Sequence, residues 1–466
     1  MLKKSIYALG ISLVFLSNST NATNFIYNVN GSFNYEKISK KVSQSGGELL
    51  SCIQQIGVCQ VKFNSIQAAQ DSNLDVVPDA TAMLPQLPAE ATGTALEVKM
   101  ESFSNPPNSN DDDFFFDLQW GHTAVGAADA WNKGIRGQGV RIAVLDSGAD
   151  ADHPDLAPNI NTILSRSFVA GETWDQTMGT FNHGSHTAGT IAAADNGFGT
   201  IGVAPEAELI ILKVLSAETG SGSSYGTMAA IVYAADNDVD VVNMSLGLSI
   251  RRNGYYDVEG TPYDTSDDIR FEVGGKDGIA QFINTYSKAT SYARTKGVTL
   301  IASAGNENTD YDHSDSLVHL PSSLPSVMSI SATSPILWGI DPYTNLDTRA
   351  GYSNYGQSEI SFAAPGGFYA GAFLPEGFNS CTVGGVTRSC YVFDYVFSTS
   401  GTGSWYWSVG TSMASPHAAG IAALIISANG GKMTPSQVKT EMMRLATDLG
   451  KPGNDDVYGL GRVKAP

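Results

Sequence analysis

Cysteine is scarce in this chain, four in 466 residues, and the four fall in two close pairs, Cys52 with Cys59 and Cys381 with Cys390. No C-x-x-C spacing and no Cys/His grouping occurs, which excludes a structural zinc site. Charge is thin as well, at 16% of residues, and cations are the scarcer sign: 27 Lys and Arg against 46 Asp and Glu, a net charge of −19. Proteins that grip phosphate backbones concentrate Lys and Arg, so a nucleic-acid partner is excluded. Membrane-spanning segments are missing too. The apolar stretch from Ile6 to Leu16 falls short of the ~20 residues that a span needs.

That stretch has a different reading. Lys3 and Lys4 precede it and the small, polar S-N-S-T-N-A follows, the pattern of a secretory signal peptide over residues 1–22, cleaved after Ala22. The expected location is extracellular, or periplasmic if the source is Gram-negative. An oxidising compartment lets each close cysteine pair form a local disulfide.

Residues 24 to 98 read as a small α+β unit. F-I-Y-N-V, I-G-V-C-Q-V-K-F and L-D-V-V-P-D are strand-like, and Y-E-K-I-S-K-K-V-S is a helix ending at a glycine pair. E-S-F-S-N-P-P-N-S-N-D-D-D, from Glu101, is a polar, proline-broken linker. Beyond Gln119 near-continuous apolar strands (G-V-R-I-A-V-L-D, A-E-L-I-I-L-K-V-L, V-D-V-V-N-M-S-L, V-T-L-I-A-S-A-G) alternate with helical patterns such as Tyr225 to Asn237 and Ile279 to Lys296. Such strands form a mostly parallel sheet flanked by helices on both faces, an α/β fold. Its ligand site lies beyond the carboxyl ends of the strands.

Polar residues stand at those ends: Asp146-Ser147-Gly148, Ser245-Leu246-Gly247 and Gly305-Asn306. H-G-S-H-T-A-G opens a helix at His183, and G-T-S-M-A-S-P-H-A-A-G opens another near Ser412. Pro416, which has no N–H to leave unpaired, is expected in the first turn of that helix. The dipole there suits the oxyanion that forms when a serine attacks a carbonyl.

With D-S-G at 146, H-G-S-H at 183, A-G-N at 304 and G-T-S-M-A-S-P at 410, residues 115 to 466 resemble the subtilisin-like serine proteases, the subtilases. The resemblance implies a serine endopeptidase acting on protein or peptide substrates, with no cofactor for catalysis. Ser412 would be the nucleophile, His183 the general base and Asp146 the residue that orients it, in the chain order known for subtilisin. Asn306 would hold the oxyanion with the Ser412 N–H. His186, three residues from His183, is a rival base on spacing alone, and the resemblance leaves it structural. His122, His153, His313, His319 and His417 read as structural or surface residues.

The resemblance also implies that substrate binds as an added strand, flanked by Gly220 and Gly222 on one side and Ser245, Leu246 and Gly247 on the other. A primary pocket lined by Leu246, Gly247, Ser303, Ala304 and Gly305 would favour large apolar or aromatic side chains, with Glu307 tolerating a basic one. A structural calcium ion would draw on Gln119 and Asp155, while Gly199 falls where an asparagine ligand is usual and Asp195 or Asn196 substitutes. S-G-G-E-L and I-G-V-C-Q-V resemble the family's inhibitory pro-domains, with a separate binding domain as the alternative. The expected division is signal 1–22, pro-segment 23–113 and catalytic domain 114–466, acting as a monomer. Self-cleavage after one of Phe114-Phe115-Phe116 would release the pro-segment. Rival readings are a catalytically silent binding protein on this scaffold and a narrow processing enzyme or peptide ligase. The stretches 248 to 278 and 367 to 395 exceed what the family core needs.

Overall fold

A computed structural model describes residues 23–84, 97–98, 111–176, 181–257, 269–270, 275–314 and 316–466. The stretch read as a signal peptide lies outside them. Seven strands run side by side in the order Thr348–Arg349, Val327–Ser334, Thr299–Ser303, Val241–Met244, Arg141–Asp146, Glu208–Lys213 and Arg166–Ser167, and Phe362–Pro365 adds an eighth beside Val327–Ser334. All of these pairings are parallel except that of Thr348–Arg349. Alternate side chains of each strand feed opposite cores, as the pleat requires. Ile142 and Val144 pack with the helices His183–Ala192 and Thr411–Ala428. Ala143 and Leu145 pack with Ser224–Asp236 and Gly275–Thr295. The helix Thr411–Ala428 is apolar and long enough to pass for a membrane span, but it is the buried central helix of this core.

The N-terminal unit is a four-stranded antiparallel sheet, ordered Glu48–Ile53, Val58–Phe63, Thr23–Asn28, Val76–Pro78. The sequence reading missed Glu48–Ile53, whose mixed burial gives no clean alternation. Phe25, Tyr27, Val61 and Phe63 face the unit's own helix, Tyr35–Gln44, through Ile38 and Val42. Ile26, Val58 and Val77, on the other face, join the core of the large domain. The face that the unit's own helix leaves open is thus covered by the large domain.

Both cysteine pairs are bridged. Cys52–Cys59 spans the hairpin of the N-terminal unit, where the two residues are cross-strand partners. Cys381–Cys390 closes the hairpin Ser380–Val383 with Val386–Ser389 in the stretch 367–395. Within 248–278, Leu248–Arg251 continues directly from Gly247 and pairs with Leu317–Leu320. The aromatic triplet departs from the expected accessible linker. Phe115 is fully buried, donates its N–H to the Gly199 carbonyl at 2.6 Å, and stacks edge-on against Phe397 and Trp405. Phe114 and Phe116 are buried beside it, so cleavage there would require uprooting core residues.

Candidate active site

Asp146 ends the strand Arg141–Asp146 with its side chain fully buried. One oxygen accepts the Ser147 N–H at 2.7 Å, and the other accepts the Thr187 hydroxyl at 3.3 Å. Both lie within reach of His183 Nδ1, at 2.8 and 2.9 Å. His183 is the first residue of its helix, which Asn182 caps by accepting the Ser185 N–H at 2.7 Å. This first turn comes so close to the strand end that a Cβ on Gly184 would overlap the Gly148 carbonyl. Beneath the Asp146 turn the buried Lys213 donates to the Ser147 carbonyl at 2.5 Å and pairs with Glu172 at 3.0 Å.

His186 does not compete for this role. Its Nε2 faces the carbonyls of Tyr406 and Val396 at 3.0 and 3.2 Å, and burial, then the neighbouring His183, pushes it down to about 3. His153 and His417 are likewise buried and bonded to main-chain carbonyls, and burial lowers each to about 4.

Ser412 is the second residue of the helix Thr411–Ala428, and its hydroxyl donates to the Ser245 carbonyl at 3.3 Å. Pro416 is the sixth helical residue, not a first-turn residue as expected. Its missing N–H is the one that would have bonded the Ser412 carbonyl four residues back. That carbonyl accepts the Ser245 hydroxyl instead, at 2.8 Å, so the proline locks the helix to the neighbouring strand end. Asn306 Oδ1 accepts the Thr411 N–H and hydroxyl, both at 2.9 Å. Its Nδ2 lies on the Gly410 side, 3.4 Å from where a Cβ on that glycine would stand. An imidazole on a carboxylate, a hydroxyl at a helix start and an oriented amide form the set that acyl transfer requires.

The segments expected to flank a substrate are already flanking a strand. Thr81–Met83, at the end of the N-terminal unit, pairs antiparallel with Ser221–Ser223, Ala82 lying opposite Gly222. On its other side Met83 and Gly247 exchange both main-chain hydrogen bonds at 2.9 Å. Leu84 N–H donates to the Gly220 carbonyl at 2.9 Å. Leu246 is fully buried behind this strand. Asp79, just upstream, accepts the Ser223 hydroxyl at 2.7 Å and the Tyr225 N–H at 3.0 Å, at the start of the helix Ser224–Asp236.

Gln119, Asp155 and Asn196 are placed as follows. Gln119 turns both ends of its amide onto Ile201, accepting from the N–H at 3.1 Å and donating to the carbonyl at 2.9 Å. Asp155 Oδ2 accepts from Thr200 N and Trp405 Nε1 at 2.7 and 2.8 Å, while its Oδ1 is buried without a partner. Asn196 donates its side-chain amide to the Pro154 carbonyl at 3.3 Å and its main-chain N–H to Asp113. Asp113, read from sequence as the end of the linker, is buried inside the loop 195–199, and its Oδ2 has no partner. Oxygens of Asp111, Asp112, Asp113 and Asp195 lie within 4.8 Å of one another. Burial, then Asp111, raises Asp113 to about 8, and burial raises Asp155 to about 7.

Comparison with known proteins matches residues 137–461 to the subtilase family. Subtilisin NAT of Bacillus subtilis subsp. natto is 33% identical over 346 residues, covering 74% of this chain and 70% of its own. Among solved structures, the epidermin leader peptide processing serine protease of Staphylococcus aureus superposes with a TM-score of 0.71 at 19% identity, over 95% of this chain and 97% of its own. A lanthipeptide protease superposes with a TM-score of 0.55 at 28% identity, over 74% and 91%.

Proposed function

This chain belongs to the subtilase family and is a serine endopeptidase, and from that premise we propose a secreted enzyme, made as a self-processing zymogen, that works through a Ser412 acyl-enzyme. The observation that carries the mechanism is the Asp146–His183 pair. A carboxylate on Nδ1–H fixes the tautomer and leaves Nε2 as the base for the Ser412 hydroxyl. His183 takes that proton as Oγ attacks the substrate carbonyl, and Asp146 stabilises the imidazolium. The Ser412 N–H and Asn306 Nδ2 receive the oxyanion. His183 then gives the proton to the leaving amine, and water repeats the sequence on the acyl-enzyme. A fluorophosphonate probe followed by peptide mapping tests this reading. Label on Ser412, lost in His183→Ala, is expected, and label elsewhere refutes it.

Residues 23–84 act in this reading as the inhibitor, since Thr81–Leu84 uses the main-chain groups a substrate would need. In this reading the cut that frees the inhibitor falls downstream of Leu84, whose N–H is held by the Gly220 carbonyl, and upstream of the buried Phe114. Ser412→Ala should accumulate uncut, while the wild type gains a new N-terminus in that interval.

A narrower role, processing of one peptide substrate, is favoured by the likeness to a protein described as a lanthipeptide protease. Incubation with casein separates the two, because broad degradation supports the general enzyme. A structural calcium ion belongs to the proposal as well. Oxygens of Asp111, Asp112, Asp113 and Asp195, the last also paired with Arg136, lie together and are of the hard kind it prefers, and Asp155, outside that group, keeps a buried oxygen without a partner. Asn196 lies beside them, whereas Gln119 is committed to Ile201.

A further inference from the structure

The side chain of the residue whose carbonyl is attacked must drop beside Ser412. Two segments flank that serine: Ser245-Leu246-Gly247, whose first carbonyl holds the Ser412 hydroxyl, and Ala304-Gly305-Asn306, where the Gly305 N–H donates to Thr411 Oγ1 at 3.1 Å. The slot between them is expected to be open, because Gly247 and Gly305 carry no side chains. It is not. A Cβ on Gly247 would overlap Cε1 and Nε2 of His319, and a Cβ on Gly305 would stand 3.2 Å from the same Nε2. The edge of one imidazole therefore lies between the two walls, and the glycines are needed to admit it. Glu307 Oε2 stands on the Gly305 side, 2.6 Å from that glycine's Cβ position.

His319 is held there from behind. It lies on the strand Leu317–Leu320, opposite Ser249, so the extra stretch after Gly247 is what carries it. Its Nδ1 is 3.0 Å from Ser322 Oγ. The one proton of that hydroxyl is directed at Glu359 Oε1 or the His319 carbonyl, at 3.1 and 3.2 Å. With that proton so directed, the ring proton is assigned to Nδ1, and Nε2 faces the slot. Ser323 also donates to Glu359 at 2.8 Å, and accepts the His319 N–H at 3.0 Å, which fixes the backbone. Burial lowers His319 to about 4.

We propose that His319 is the specificity-determining floor of the primary pocket and restricts the residue before the scissile bond to short side chains such as Ala and Ser. This rests on the Ser412 mechanism above and replaces the expectation of a large apolar or aromatic residue, which counted the glycine walls without the imidazole between them. A phenyl ring cannot enter unless the imidazole leaves, and the Ser322–Glu359 chain opposes that. A blocked neighbouring pocket of this kind discriminates by on the order of a hundredfold.

The test is a series of peptide p-nitroanilides that differ only in the residue before the anilide (Ala, Ser, Leu, Phe, Arg), compared by kcat/KM for wild type, His319→Gly and His319→Ala. Wild type should prefer Ala and Ser to Phe by at least tenfold. In either variant, provided Ser412 still takes the fluorophosphonate label, Phe should gain roughly a hundredfold relative to Ala. Wild-type preference for Phe, Leu or Arg overturns the inference whatever the variants do. So does an unchanged Phe-to-Ala ratio in a variant that still labels. Absence of label in wild type whose residues 23–84 have been removed would sink the protease reading, and this inference with it, which distinguishes the two failures.

Discussion

Replacing Asp79 by Ala should open the cleft. Asp79 belongs to the N-terminal unit proposed as the pro-segment, yet two of its hydrogen bonds cross to the large domain, from Ser223 Oγ at 2.7 Å and Tyr225 N at 3.0 Å. Bonds to a charged acceptor are worth about 1.5–3 kcal/mol each. Burial works against them, since it raises the Asp79 carboxyl above the ordinary carboxylate range despite those donors. Taking the lower end for both gives about 3 kcal/mol, or roughly 150-fold in the fraction of molecules whose cleft is free. The readout is the rate at which a fluorophosphonate labels Ser412 in the full chain, because the probe needs the site that Thr81–Leu84 covers. Asp79→Ala should label on the order of a hundredfold faster than wild type, and Asp79→Asn, which keeps a neutral acceptor, by about tenfold. The Cys52–Cys59 hairpin reports whether the pro-segment is still folded, through its resistance to mild reduction. Labelling at the wild-type rate with the pro-segment folded would refute the claim that this carboxylate helps hold the strand in the cleft.

Asn306→Ala should lower kcat by about 10²–10³ with little change in KM, the magnitude known from subtilisin itself when it loses its oxyanion-hole asparagine; steady-state kinetics decide it. Chelation should lower the melting temperature by several degrees, as a ligand at a hundred times its Kd contributes ~2.7 kcal/mol. Asp113→Asn and Asp155→Ala should each erase that difference in a thermal scan with and without chelator, and no shift in wild type removes calcium from the account. Burial raises Asp394 to about 7 even though both its oxygens accept N–H groups, from Leu337 and Trp338. A carboxyl whose folded value is raised gives stability that is fully present below the unfolded value of about 4 and lost as pH rises towards 7, so Asp394→Asn should flatten unfolding free energy against pH over that window.

The parallel sheet and the grouping of the candidate residues at its edge were legible because they rest on local signals. Apolar strands end in Asp146, Ser245 and Asn306, and a glycine-flanked histidine and serine open helices, so each motif states both its conformation and its place at the sheet edge. Choosing between His183 and His186 was different. Both lie on one helical face, and only Val396 and Tyr406, more than two hundred residues away, show that His186 is bound elsewhere.

What stayed hidden depends on contacts between distant segments. Phe114-Phe115-Phe116 follows an acidic, proline-broken run and so reads as accessible, yet Phe115 fills a space made by Phe397 and Trp405 and Phe116 packs against Trp131. Pro416 could be assigned a helix but not a turn, because the partner of the carbonyl it frees is Ser245. His319 is the sharpest case. Its neighbours in sequence, Val318 and Leu320, are ordinary core residues, and its meaning comes from Gly247 and Gly305, which it meets only after a strand pairs across the back of the pocket. A glycine wall in sequence says that something approaches closely, and only the fold says what. Here the approaching group is the protein's own imidazole, so the same glycines that announce a roomy pocket by resemblance produce a shallow one by packing.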